Sequence, residues 1–266
     1  MNYGVVGLAA AAFACAPGIL LAQQPAQQQG NHWSWHGKVA AGRTLEVKGI
    51  SGTITAEPAT GDEVVVTADK HGHDSDPAEV RIEVVQDGDG VTICAVYPGR
   101  SGRCGEDNED DDHHWRGRHN DVEVTFHAQV PAGVKFAGRS VNGDVEANNL
   151  GAAVSASTVN GGVRVETAGG DASASTVNGS VTAVVRGQGT GPLRFHTVNG
   201  SVTVTLPKSL NADLRAETVN GSIETDFPIT VMGRLTPRRL DGRIGQGGRD
   251  LQLETVNGSI RIRATP

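Results

Sequence analysis

The residues best suited to chemistry lie in one polar segment, residues 105–121. Its carboxylates suit Ca²⁺, and its imidazoles suit Zn²⁺ or Cu²⁺. No EF-hand spacing is present, because the glycine that such a loop needs at its turn is missing. A mixed acidic and histidine run is typical of a solvated loop that like charges keep extended. We predict a solvated loop without a metal, and a metal site is the alternative. The possible ligands are Glu106, Asp107, Glu109, Asp110, Asp111, Asp112, His113, His114 and His119.

Signatures of common enzymes are absent from the rest of the sequence. There is no Gly-x-Ser-x-Gly elbow, no His-Glu-x-x-His zinc motif and no phosphate-binding Gly-x-x-x-x-Gly-Lys-Ser/Thr loop. A glycosidase needs a pair of carboxylates, whereas Glu166, Glu217, Glu224 and Glu254 are scattered among strand positions with no recurring pair. We predict no enzyme activity and no cofactor. The alternative is a carbohydrate-active β-helix enzyme.

The N-terminus has the composition of a secretory signal peptide. Residues 5–21 are nearly all apolar or small, and Leu20-Leu-Ala22 precedes a polar run. We therefore predict a signal peptide over residues 1–22, with lipidation of Cys15 as a less favoured alternative. No later segment contains the roughly 18–20 apolar residues that a membrane span needs. We predict no transmembrane span in the mature chain.

Two cysteines, Cys94 and Cys104, remain after removal of this peptide. An even number of cysteines in an oxidising compartment favours a disulfide between them. A metal or redox pair is the alternative, although the sequence has no Cys-x-x-Cys spacing.

Residues 23–41 are predicted to form a flexible linker, because the segment begins with a Gln-, Pro- and Gly-rich run. Trp33 and Trp35 lie within it and permit two interpretations. They form either an aromatic binding surface or a cap over exposed strand edges. We favour the cap.

The second half of the chain repeats one phrase of the type Thr-Val-Asn-Gly-Ser-Val six times, and a degenerate copy occurs near residue 241. The first asparagines are separated by 18, 18, 21 and 21 residues, and the last gap of 37 contains the degenerate copy. A fixed period near this length indicates a repeat architecture. Asn and Gly tolerate turn geometry, so we predict structural turns at each copy. These are Asn142-Gly143, Asn160-Gly161, Asn178-Gly179, Asn199-Gly200, Asn220-Gly221, Asp241-Gly242 and Asn257-Gly258.

Two all-β architectures fit this period. In a β-solenoid of 18–21 residues per coil, equivalent positions stack and identical side chains form ladders. In an antiparallel hairpin meander, each Asn-Gly is a hairpin turn. A meander gives no reason to keep the residues on both sides of Asn-Gly, so we predict a single-domain solenoid. Its N-terminal strands span residues 42–135 with a loop insertion at 105–121, and its regular repeats span residues 136–266.

Three segments resemble the bacterial adhesin-like toastrack family. They are Leu214-Arg-Ala-Glu-Thr-Val-Asn-Gly-Ser-Ile-Glu-Thr-Asp-Phe-Pro228, Val130-Pro-Ala-Gly-Val134 and Leu251-Gln-Leu-Glu-Thr-Val-Asn-Gly-Ser-Ile260. The resemblance implies an exported, envelope-associated β-solenoid of unassigned molecular function, with no catalytic residues. The insertion at 105–121 departs from the family pattern.

These observations predict a non-catalytic, adhesin-like binding or structural module of the cell envelope, in the periplasm or at the cell surface. Its expected partner is a protein or a surface glycan. The formal net charge of −7 argues against nucleic acid, because phosphate binding requires clustered Lys and Arg. The alternative is a periplasmic scaffold or a partner of an envelope-stress sensor.

Overall fold

The computed structural model describes residues 26–99, 104 and 120–265. The predicted signal peptide, residues 1–22, lies outside the described residues. So do residues 105–119 of the acidic and histidine-rich segment, which include every possible metal ligand named above.

The described residues form β-strands connected by turns, with one short 3-10 turn at Pro77–Glu79. The strands are β1 Gln27–Gln29, β2 His32–Gly37, β3 Thr44–Lys48, β4 Ile54–Pro58, β5 Val64–His71, β6 Arg81–Gln86, β7 Gly90–Val96, β8 Glu123–Val130, β9 Lys135–Arg139, β10 Val145–Leu150, β11 Val154–Ser157, β12 Val163–Thr167, β13 Ala172–Asn178, β14 Val181–Val185, β15 Leu193–Asn199, β16 Val202–Leu206, β17 Ala212–Asn220, β18 Ile223–Thr225, β19 Ile229–Thr236, β20 Arg239–Ile244, β21 Arg249–Asn257 and β22 Ile260–Ala264.

These strands build two sheets of 11 strands each. The order in sheet A is β1-β2-β5-β8-β4-β10-β12-β14-β16-β22-β18, and in sheet B it is β19-β20-β17-β21-β15-β13-β11-β9-β3-β7-β6. From β8 to β18 in sheet A and from β17 to β7 in sheet B, every neighbouring pair is parallel. The strands outside these ranges pair antiparallel. Parallel stacking of successive coils confirms the β-solenoid and shows that the hairpin meander is wrong.

Each coil runs along one strand of sheet B, turns at the repeated phrase and continues along one strand of sheet A. Alternate residues point inward because side chains on a strand alternate between its two faces. Leu193, Phe195 and Thr197 of β15 are buried, as are Val202 and Val204 of β16. The core between the sheets is therefore thin and is filled mainly by aliphatic side chains.

Eight coils stack in space, and the one formed by β7 and β8 lies at the N-terminal end of the stack, beside β3 and β4. The other seven are numbered along the chain from β3 and β4, and their spatial order differs from their order in the chain. The sixth coil, β17 and β18, lies at the end of the parallel stack, and the seventh, β21 and β22, lies between the fifth and the sixth. The hairpin formed by β19 and β20 pairs with β17 on its outer side and covers that end of sheet B. This hairpin explains the long final gap between repeats.

The predicted turn at Asp241 and Gly242 is wrong. Both residues lie inside β20, where Gly242 pairs with Leu214 on one side and Val231 on the other. A Cβ atom at Gly242 would lie 2.4 Å from Cγ2 of Ile229, so close packing explains this glycine. The local sequence imitates the repeat phrase, but strand pairing decides its structure.

The linker predicted over residues 23–41 is wrong for residues 27–29 and 32–37. These residues form β1 and β2, and β2 pairs antiparallel with β5. Trp33 and Trp35 are each only 3% exposed and belong to the core, so they cover the N-terminal end of sheet A and form no exposed aromatic surface.

A disulfide joins Cys94 of β7 to Cys104. The disulfide lies near the edge of sheet B, because β7 is the second-to-last strand in the order of that sheet and β6 is the last. Among the described residues, no helix has the length and apolar character required to cross a bilayer.

Candidate functional site

The corner that leads from sheet B to sheet A is the most regular surface of the molecule. Each Val-Asn-Gly triplet of the repeat lies there, and the triplets stack in the order 141–143, 159–161, 177–179, 198–200, 256–258 and 219–221. We call this stack of six triplets the ladder corner. It is an extended and nearly linear surface, about 24 Å long at the usual strand spacing of about 4.8 Å.

A buried hydroxyl supports each triplet from inside the coil. The threonine before the triplet donates to the carbonyl of the corner glycine on the neighbouring coil, at 2.8–2.9 Å. The five threonines that do so are Thr158, Thr176, Thr197, Thr218 and Thr255. Ser140 makes the corresponding bond to Gly52 O, at 3.2 Å. These bonds satisfy a buried polar group and fix the corner carbonyl.

Close approach of neighbouring backbones makes glycine necessary at the corner. A Cβ atom at Gly200 would lie 1.9 Å from Gly179 O, and one at Gly258 would lie 1.8 Å from Gly200 O. No side chain fits at these distances, which are far inside van der Waals contact. The glycine of the repeat is therefore required by the stacking of coils.

The asparagine side chains form one continuous hydrogen-bonded ladder on the outside of the corner. From the second asparagine onward, each Nδ2 donates to Oδ1 of the preceding asparagine in the stack, at 2.8–2.9 Å. The bonds link Asn142, Asn160, Asn178, Asn199, Asn257 and Asn220 in this order. Each amide nitrogen has a second N–H, and each amide oxygen has a second lone pair. These remaining groups face a solvent-accessible surface.

Valine side chains follow the same line beside the asparagines. Val159, Val177 and Val219 are 39%, 40% and 51% exposed, which makes them unusual among the large apolar residues of the described structure. The six triplets contain no charged residue. The ladder corner therefore presents alternating apolar and amide groups in an uncharged and repeated pattern.

The outer faces of the sheets have a different character, because many of their charges are paired. Glu166 contacts both Arg164 and Arg186. Hydrogen bonds from Arg186 and Arg164 hold the pKa of Glu166 below its usual value, against the opposing effect of burial. On sheet B, Arg239 contacts Glu217 at 3.1 Å.

The other two glutamates that could serve a glycosidase also lie beside basic side chains. Glu224 lies 3.3 Å from Arg263, and Glu254 lies 3.7 Å from His196. Asp241 accepts from Arg239, and this bond lowers the pKa of Asp241. In the described part of the chain, no group of three or more His, Cys, Asp or Glu side chains is arranged to hold a metal ion.

The structure brings six of the seven predicted turns together in the ladder corner and leaves out Asp241-Gly242. Two features of the corner could not be identified from the sequence. The bonds from the threonine hydroxyls connect different coils, and the exposure of the valines depends on which way the chain turns. The constancy of Thr and Val in the repeat is the sequence feature that could have indicated both the threonine bonds and the exposed valines.

Residues 118–263 match the family model described as Toastrack DUF4097. Similar solved structures include a "putative cell adhesion protein" from Clostridium sporogenes, with 14% identity and a TM-score of 0.47 over 87% of this chain and 99% of that chain. Another is a "putative adhesin" from Bacteroides fragilis, with 14% identity and a TM-score of 0.27 over 89% of this chain and 98% of that chain. Neither likeness is close enough to carry an argument, and no curated protein matches. The family model covers more than half of the sequence, so the resemblance seen in the repeats is confirmed, and the chain belongs to the toastrack family.

Proposed function

We propose that this protein is an exported, non-catalytic binding module of the bacterial cell envelope and that it contacts its partner through the ladder corner. The observation that carries this proposal is the uncharged ladder corner, where six exposed asparagines run beside six valines, three of them exposed and three half-buried. A regular row of identical groups suits a partner with its own repeat, such as a surface glycan or an extended protein segment.

The chemistry of the corner supports an uncharged contact of this kind. The remaining amide N–H groups and lone pairs can bond hydroxyls or peptide groups, and the valine methyl groups provide apolar contact. Because the asparagines are fixed by one another, ordering them on binding costs little side-chain entropy. Weak contacts repeated on six coils add up through multivalency.

Export is supported by two independent features of the chain. Residues 5–21 have the composition of a signal peptide, and Cys94 is joined to Cys104. Disulfides persist in oxidising compartments such as the periplasm or the cell exterior. Both features are consistent with a position in the cell envelope.

The pairing of the carboxylates supports a non-catalytic role. A glycosidase requires one carboxyl group with a raised pKa to act as an acid. Glu166, by contrast, is held in its charged form by two arginines, and Asp241 is held in the same way by Arg239. These groups serve the outer surface of the coils.

The location can be tested by digesting the tagged protein with protease on intact cells and on cells with a permeabilised outer membrane. Digestion on intact cells is the result expected for an adhesin-like module. Protection until permeabilisation would refute surface adhesion and favour the periplasmic scaffold or envelope-stress partner.

The role of the ladder corner can be tested with purified protein and cells that lack the gene. We expect the double variant Val159→Lys, Val177→Lys to bind the cell envelope at least about tenfold more weakly, because two charges would be placed in the apolar contact. The matched control is Thr182→Lys, Thr203→Lys on the outer face of sheet A, which should bind as the unmodified protein does. Equal binding by both variants would show that the ladder corner is not the contact surface.

A further inference from the structure

The unusual order of the last two coils leaves a gap at the opposite corner, where sheet A leads back to sheet B. Residues 186–192 connect β14 to β15, and residues 207–211 connect β16 to β17. Between β15 and β17 lies β21, which is entered from β20 of the same sheet and not from sheet A. At the position of β21, this corner therefore has no loop that arrives from sheet A. A cavity of about 320 Å³ lies there.

Arg249, the first residue of β21, lines this cavity and is only 4% exposed. Its Nε donates to Gly191 O at 2.6 Å, and its Nη2 donates to Gly170 O at 2.8 Å. Both acceptors are neutral backbone carbonyls. Its Nη1 is buried and has no hydrogen-bond partner within the described residues.

The guanidinium also lacks an ion pair within the described part of the chain. Burial lowers the pKa of Arg249, and the charge of Asp171 opposes this shift from beyond ion-pair distance. The carboxylate of Asp213 is nearer the solvent and is already bonded to Arg243 and to Gly248 N. A buried charge without a directly paired opposite charge is costly, and an unbonded buried N–H adds to that cost. An anion in the cavity would relieve both.

The other walls of the cavity favour a hydroxyl-rich ligand. Gln188, Thr190 and Asn211 contribute amide and hydroxyl groups, and Leu210 contributes one apolar surface. Asn211 Oδ1 accepts from Gln246 N, which leaves its amide N–H groups for a ligand. The volume lies at the small end of ligand pockets and suits a single sugar ring.

We propose that this cavity is a binding site for an acidic monosaccharide unit whose carboxylate pairs with the guanidinium of Arg249. The carboxylate supplies a directly paired opposite charge and the missing acceptor for Nη1. The ring hydroxyls bond to the polar walls. Nη1 is enclosed, so the carboxylate reaches it through a shift of the glycine-rich connections at 187–191 and 245–248, which line the cavity. The site lies at the other end of the sheet B strands from the ladder corner and is independent of the function proposed for that surface.

The test is calorimetric titration of the purified protein with D-glucuronate, D-glucose and acetate. We expect saturable binding of glucuronate at least about tenfold tighter than that of either other compound, because only glucuronate offers both the charge and the hydroxyls. Equal affinity for acetate and glucuronate would overturn the assignment to a sugar. Equal affinity for glucose, or no binding of glucuronate, would overturn the role of Arg249.

Two variants locate the site without removing the buried arginine. Thr190→Trp fills the cavity at its exposed rim and should weaken glucuronate binding at least about tenfold, whereas Thr60→Trp in an exposed turn should leave it unchanged. Binding that survives Thr190→Trp would place the sugar elsewhere and refute the proposal. A third variant, Arg249→Lys, keeps the positive charge but loses the forked guanidinium, so it should bind glucuronate more weakly. Thermal unfolding of this variant without ligand checks that it folds as the unmodified protein does.

Discussion

Replacement of one corner glycine by alanine tests the stacking of the coils directly. Gly200 lies in the middle of the ladder corner, where a Cβ atom would be 1.9 Å from Gly179 O and 2.5 Å from Gly179 C. Its own carbonyl accepts from the hydroxyl of Thr255, and its N–H donates to Asn257 O. Alanine therefore forces two backbone segments apart by about 1 Å or more, since contacts below about 3 Å are not tolerated.

The cost can be worked from these contacts. Overpacking costs about 1–3 kcal/mol, and weakening one of the corner hydrogen bonds adds about 1 kcal/mol. We expect the free energy of unfolding to fall by about 2–4 kcal/mol, which is a large part of the stability of a typical domain. For a chain of this size that corresponds to a decrease in Tm of roughly 5–15 °C.

The assay is thermal and urea unfolding followed by far-UV circular dichroism, with Gly151→Ala as the matched control. A Cβ atom at Gly151 meets nothing within 4 Å, so the control should change stability by less than about 0.5 kcal/mol. If Gly200→Ala melts within about 2 °C of Gly151→Ala, the corner backbones are farther apart than the structure requires, and the explanation given for the repeated glycine is refuted.

Three further changes probe other contacts. Thr197→Val removes a buried hydroxyl and leaves its carbonyl acceptor unbonded, so urea unfolding should show a loss of about 1–2 kcal/mol, while Thr203→Val on the outer face should be nearly neutral. Asn178→Ala breaks two bonds of the ladder and Asn220→Ala breaks one, so the first should lower Tm about twice as much as the second; equal losses would contradict a chain of independent bonds. The folded-state pKa of Glu166 is below its ordinary value of 4.5, so its contribution to stability is complete above that pH and disappears as the pH falls through the lower folded value. Glu166→Gln should therefore flatten stability against pH below about 4.5, and an unchanged profile would argue against the two arginine contacts.

The regular coils were predictable because their signals are local. Inward positions alternate along each strand, and Asn-Gly marks the turn, so Leu193, Phe195 and the six corner pairs follow from short stretches of sequence. The two errors arise where pairing between distant segments decides. The sequence around Gly242 resembles the repeat phrase, but Gly242 pairs with Leu214 and Val231 inside a strand. The segment from His32 to Gly37 follows a Gln-rich run, but it forms a strand because it pairs with β5.

The candidate sites were predictable only in part, for a similar reason. The asparagines of the ladder were evident from the repeat, since stacked coils align equivalent residues. Their spatial order was not evident, because it depends on the seventh coil entering between the fifth and the sixth. The cavity beside Arg249 is a product of the same rearrangement, and no motif in the sequence accompanies it.

The position of the seventh coil also constrains how the molecule can be assembled. β21 and β22 follow β17 and β18 in the chain, yet each has a neighbour on both sides, which for β21 are β15 and β17. The first five numbered coils can stack in order as the chain grows, but the sixth cannot reach its final neighbours until β21 and β22 have been synthesised. Deleting residues 249–266 would therefore remove an internal layer of the solenoid and leave two unpaired strand edges in each sheet, whereas removing an outer coil would leave one.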